Sequence, residues 1–216
     1  QESNKNGWQI VQDVAWEDYK LVPKLTMAGY SVMMKEISEQ IKNEKISHVI
    51  LQAGVGGMAA AMVVGIARYL DYIPQIIIVE PDSAACVLES IKTGKIEKIS
   101  IEKESIMGGM SCGEVSLVPW KILKESVNTC TSITDENVDL TVAMLKNKIL
   151  SDVEIVGGEC STPGIISLIA CTEDSEIRKN LELEESSNIL VIGCEGDADE
   201  DLYNKLLSTG NKKLLK

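Results

Sequence analysis

Apolar positions recur along the chain in two periods, and the period switches repeatedly. Residues 24–44 place Leu25, Met27, Ala28, Val32, Met33, Ile37 and Ile41 at helical spacing. HVILQA (48–53) and QIIIVE (75–80) are continuous apolar runs too short for helices, and residues 57–70 between them return to a helical pattern. Apolar runs of that kind belong to strands of a parallel sheet covered on both faces. WQIVQDV (8–14) has strand-like content. Further on, helices are predicted over 82–93, with Asp82 or Ser83 as N-cap, over 117–128, from Thr134 and Asn137 to about 147, over 163–172, over 176–183 and over 199–208. TCTSI (129–133) and NILVIGCEG (188–196) hold the remaining strands, and 105–116 reads as loop.

Strands separated by helices predict an α/β fold: three layers, a mostly parallel twisted sheet with helices on both faces, and residues 1–216 as a single α/β domain. In such sheets ligands sit beyond the carboxyl ends of the strands, and each glycine-rich turn here follows a strand.

Composition narrows the function. Twenty-one Lys and Arg against 33 Asp and Glu give a net charge of −12, which repels phosphate backbones and excludes nucleic acid and anionic membrane as partners. No run of 18 apolar residues exists, and no basic flank precedes an apolar stretch at the start. Six cysteines without a C-x-x-C, and a single His48, exclude a zinc site; free thiols and a cytoplasmic location are expected. His48, before a buried strand, reads as structural. The Met27, Met33, Met34, Met58 and Met62 set reads as core, and Trp8, Trp16 and Trp120 as packing residues. The first residue is Gln1 and the opening QESNKN resembles linker, so the chain is expected to be processed or a piece of something longer.

QAGVGGM, between a strand and a helix, is the strongest chemical signal. Its glycines let the backbone approach an anion, and the helix N-terminus beyond them holds a phosphate. Two cofactors fit. Gly54, Gly56 and Ala59 with Glu80 satisfy a dinucleotide pattern. A monophosphate cofactor with a compact ring suits the two further polar turns, GGECSTPG (157–164) and GCEGDAD (193–199).

GWQIVQDVAWEDY (7–19), ILQAGVGGMAAAM (50–62), IIIVEPDSAAC (76–86), IMGGMSCGE (106–114) and VIGCEGDAD (191–199) together resemble the diaminopropionate ammonia-lyase family, pyridoxal-phosphate enzymes of fold type II. The resemblance implies pyridoxal 5'-phosphate as cofactor, a small amino acid as substrate, conversion of 2,3-diaminopropionate to pyruvate and ammonia by α,β-elimination, and a homodimer for the intact enzyme. Carried over by position, the backbone of Gly54, Val55, Gly56, Gly57 and Met58 cradles the phosphate. Asp13 stands at the family's active-site aspartate, assisting proton transfer or holding the β-ammonium; the alternative is a strand-end cap or surface acid. Cys194 stands where a Ser, Thr or Cys meets the pyridine nitrogen. The family more often has a hydroxyl there, and a small buried strand residue is the alternative. Glu159 flanks the ring or is an ordinary turn carboxylate. Cys86 and Cys112 fall where the family carries cysteines near the site entrance, leaving open a disulfide or two free thiols.

The family's cofactor-anchoring lysine belongs to a region preceding Gly7, and no lysine here has its local pattern. The expectation is therefore the C-terminal portion of a longer enzyme, inactive alone and exposing apolar surface where missing elements pack. Other readings stay open: a serine or threonine dehydratase of the same fold type, a dinucleotide-binding module, or a non-catalytic interaction domain.

Overall fold

A computed structural model describes residues 2–41 and 44–215. In chain order the elements are α1 (Glu2–Asn6), α2 (Leu21–Ile41), β1 (His48–Gln52), α3 (Gly57–Tyr69), β2 (Gln75–Pro81), α4 (Cys86–Thr93), α5 (Leu117–Ser126), β3 (Thr129–Ile133), α6 (Val138–Lys146), α7 (Pro163–Glu173), α8 (Ser175–Asn180), β4 (Ile189–Val191) and α9 (Glu200–Leu214). The four strands form one parallel sheet in the order β3-β2-β1-β4.

The central strands are apolar on both sides because both sides are covered. Val49, Leu51, Ile76 and Ile78 pack on one face against Met27 and Met34 of α2, Ala59 to Val63 and Ile66 of α3, and Trp120 and Leu123 of α5. Ile50, Ile77 and Val79 point the other way, onto Val138 and Val142 of α6, Cys171 of α7, and Tyr203 and Leu206 of α9. The side-chain period of two along each strand assigns neighbours to opposite cores. Among the described residues no helix is long and apolar enough to cross a membrane.

Several expectations need correction. Residues 8–14 form no strand: Trp8 is 63% and Val11 73% exposed, and among the described residues no strand lies beside them to take up their backbone groups. Trp8 is thus not a packing residue, whereas Trp120 is buried. The opening polar segment contains α1. The helix expected over 24–44 spans Leu21–Ile41, with Pro23 tolerated in its first turn; residues 42 and 43 lie outside the described ones, and Glu44 is not helical. α9 runs to Leu214, beyond the expected 208, because it stays docked along α6, where Gly210 lets the two backbones meet. Neither Asp82 nor Ser83 caps α4. Asp82–Ala84 is a separate 3-10 turn, and the N–H groups of Val87 and Leu88 donate instead to Glu80 at 2.8 Å each.

Asp199 caps α9 with a side-chain oxygen 3.0 Å from the Leu202 N–H. Asp199→Ala is expected to cost about 1 kcal/mol. Thermal melting checks this, with a midpoint lowered by roughly 2–4 °C.

His48 is buried and structural. Its Nε2 lies 2.7 Å from the Leu181 carbonyl oxygen and its Nδ1 2.8 Å from the Ser47 hydroxyl. Met27, Met34 and Met62 are core and Met33 packs against it, while Met58 reaches the cleft described next.

Candidate active site

The chain steps from β1 outward to β2 and β3, then returns to the far side of β1 as β4. The strand order reverses at the β1–β4 pair, and a crevice opens there beyond the carboxyl ends. An open cleft of about 250 Å³ occupies it. Asp13, Tyr30, Gln52, residues 53–59, Gly109, Met110, Cys160, Cys194 and Glu195 line it.

The glycine turn forms one wall. Gly56 is left-handed, φ +87°, and directly precedes α3; a Cβ there would also lie 2.9 Å from Leu123 Cδ1. At Gly54 a Cβ would come within 2.8 Å of the Gly109 carbonyl oxygen. The turn is therefore pressed tightly on its protein side, yet space is open at Gly57. The first N–H groups of α3 have no intrahelical partners, and its first turn carries no acid. Donors and dipole together favour an anion.

Asp13 arrives from a loop closed by its own aromatic residues. The Tyr19 hydroxyl donates to the Ile10 carbonyl at 3.0 Å and accepts from the Gln12 N–H at 3.1 Å, while its ring stacks on Trp16 with centroids 4.3 Å apart. Ala15 N–H donates to Ser116 Oγ at 2.8 Å and Leu117 N–H to the Ala15 carbonyl at 3.2 Å. These bonds rest the loop on the start of α5 and leave Asp13 exposed at the cleft rim.

The opposite wall is a pair of turns zipped together. Gly158 N–H donates to the Glu195 carbonyl at 3.0 Å, Glu195 N–H to Ser161 Oγ at 2.9 Å, and Cys160 N–H to Glu195 Oε2 at 2.8 Å. Cys194 lies in this wall, an exposed residue beyond the end of β4 and not a buried strand position, and the protein packed around its sulfur pushes its thiol up. Glu159 is not among the lining residues; burial and then the nearby Glu195 raise its carboxyl. Glu159, Cys160 and Glu195 bring one ligand-type atom each within 4.8 Å of one another, and burial pushes the Cys160 thiol up to about 12.

Asp13, Gly54 to Met58 and Cys194 thus converge on one cleft. Gln52, Tyr30, Cys160 and Glu195 were missed. Gln52 carried a signal, a polar residue ending an otherwise apolar strand. Glu80, the acid of the dinucleotide pattern, is fully buried and engaged with α4, so no ribose can reach it. Cys86 and Cys112 both lie by Gly54 and are free thiols, as are all six cysteines.

Residues 3–194 match the pyridoxal-phosphate dependent enzyme family. The chain belongs to that family. Among pyridoxal-phosphate-dependent enzymes it is 34% identical to diaminopropionate ammonia-lyase of Escherichia coli K12 over 220 residues, 97% of this chain and 54% of the relative. The Salmonella typhimurium diaminopropionate ammonia-lyase is 29% identical, over 94% of this chain and 53% of the relative. The crystal structure of the holo E. coli enzyme superposes with a TM-score of 0.87 at 33% identity, covering 97% of this chain and 54% of that one. The chain spans about half the length of these relatives.

The residues present fit the family's cofactor. The open backbone at Gly57 and the unpaired first turn of α3 suit its phosphate. Gln52, a lining residue, keeps Oε1 buried with no protein partner. Among the described residues no lysine lines the cleft.

Proposed function

We propose that this chain is the phosphate-holding portion of a diaminopropionate ammonia-lyase, a single α/β domain inactive until a lysine from outside these 216 residues completes the cleft. The observation that carries the reading is the convergence of Asp13, the α3 glycine turn and Cys194 on a cleft that no lysine among the described residues lines. The N–H groups at the start of α3 would hold the phosphate, and Cys194 would stand on the ring side of the cleft. The bound cofactor supplies an electron sink that acidifies the substrate α-carbon hydrogen. Asp13, a carboxylate at the rim, pairs with the β-ammonium of 2,3-diaminopropionate and orients the leaving nitrogen. Free thiols suit a cytoplasmic setting. The homodimer is carried over from the family resemblance.

The test has two stages. The purified chain is titrated with pyridoxal phosphate, followed by fluorescence, with NADH as control; saturable binding of the first alone is expected, without turnover of diaminopropionate. Fused to a lysine-bearing N-terminal segment, it is expected to release pyruvate from diaminopropionate. In that fusion Asp13→Asn should cut diaminopropionate turnover by about 100-fold, within the range of a positioned acid–base group, and serine turnover far less. NADH binding, or equal losses on both substrates, would overturn the reading in favour of a dinucleotide module or a serine dehydratase respectively.

A further inference from the structure

We infer that Gln52 is a positioning residue for the Cys194 thiol, fixing the sulfur and the direction of its S–H where the cleft meets a cofactor ring; the reference to the ring rests on the function proposed above. β1 is buried along its whole length, and Gln52 at its end is only 3% exposed. A buried amide in that setting must find partners. Its Nε2 lies 2.7 Å from the Ile192 carbonyl oxygen, 3.0 Å from the Cys160 carbonyl oxygen and 3.1 Å from Cys194 Sγ. The two carbonyls can only accept, so the nitrogen has to face them; a flipped amide would set oxygen against oxygen.

Cys194 in turn donates its S–H to the Cys160 carbonyl at 3.3 Å. Gln52, Cys194 and Cys160 thus close a ring. One amide hydrogen goes to the Ile192 carbonyl, the other is shared between the Cys160 carbonyl and the sulfur, and the thiol donates to the same Cys160 carbonyl. The proton and one lone pair of Cys194 are both committed by protein groups. The ring also ties β1 to the zipped turns at 158–161 and 192–195, which carry Cys160 and Glu195. β4 ends at Val191, so the Ile192 carbonyl lies beyond the named strand and takes a side-chain donor. Donation from Gln52 works against the burial that pushes the Cys194 thiol up, which gives the ring a readout without turnover.

The experiment uses the 216-residue chain and iodoacetamide, with Cys194 carboxamidomethylation followed by peptide mass spectrometry across pH. The midpoint of the pH profile reports thiolate formation and does not depend on access. Gln52→Met, which keeps length and removes the donors, is expected to raise that midpoint by about one pH unit, since hydrogen bonds to charged groups are worth that much or more. Gln52→Asn, which keeps an amide but falls short of the sulfur, is expected to shift it in the same direction, and serves if the first variant melts at the assay temperature. Unchanged midpoints in folded variants overturn the inference. A parallel arm adds pyridoxal phosphate, expected to slow wild-type Cys194 modification at least about tenfold by shielding it from reagent. Shielding without a midpoint shift overturns the Gln52 role and leaves the cofactor site standing. A midpoint shift without shielding supports the Gln52–Cys194 coupling and overturns the cofactor placement.

Discussion

Replacing Gly56 by alanine is expected to abolish measurable pyridoxal phosphate binding while leaving most of the fold in place. Two effects add. The left-handed backbone at φ +87° costs a non-glycine residue roughly 1–2 kcal/mol. The new methyl would also stand 2.9 Å from Leu123 Cδ1, a fully buried side chain of α5 that has little room to retreat. The turn relaxes by swinging the start of α3 away, and the N–H groups no longer converge. Each charge-assisted hydrogen bond lost is worth about 1.5–3 kcal/mol, so even one or two losses weaken binding by about 100-fold. A fluorescence titration with pyridoxal phosphate, beside a thermal melt, checks this. Gly57→Ala, whose methyl meets no protein atom within 4 Å but enters the space left for the phosphate, is the control for folding only. It should melt close to wild type, and a loss of folding equal to that of Gly56→Ala would show that packing at Gly56 is not the issue.

The second large effect is a dependence of stability on pH centred on Glu80. Its carboxyl is fully buried at the end of β2, and desolvation pushes its pKa up to about 7 despite the N–H bonds from Val87 and Leu88. Below about pH 4.5 both folded and unfolded chains carry the proton, and nothing is lost. As pH rises from 4.5 to 7 the unfolded chain ionises first, so the folded state binds more protons and stability falls. Above 7 this contribution stays at its minimum. The span from 4.5 to about 7 corresponds to about 3 kcal/mol. The midpoint of thermal unfolding should therefore decline between pH 5 and 8. Glu80→Gln cannot ionise and loses one acceptor for α4. It should melt lower than wild type at pH 5, with the gap narrowing or reversing by pH 8. Parallel curves for the two proteins would show that Glu80 does not titrate in this range.

Glu80 also shows where reading the chain alone reaches its limit. At the end of a strand, a fixed distance after a glycine turn, it has the position of a ribose-binding acid. Spacing cannot tell a carboxylate that faces solvent from one that turns back beneath its own strand. Here the carboxylate turns back, because the 3-10 turn at Asp82–Ala84 brings the unpaired N–H groups of α4 within 2.8 Å. The same limit applies to WQIVQDV. Its apolar and β-branched residues suit a strand, but a strand needs a neighbour, and Tyr19 ties the segment into a loop instead.

Local preference and periodicity are enough for the parallel α/β architecture, the four strands of the sheet and a glycine turn between β1 and α3, because strand length, two-sided apolar runs and glycine at a strand–helix junction are properties of neighbouring residues. The resemblance of short segments added Asp13 and Cys194. The closing of the cleft could not be read this way. Gln52 meets Cys160 and Cys194 across 108 and 142 positions of chain, and Ala15 meets Ser116 across 101. Such contacts depend on strand order, since β4 lies beside β1 rather than β3, and on buried polar groups that must find partners wherever the packed layers bring them.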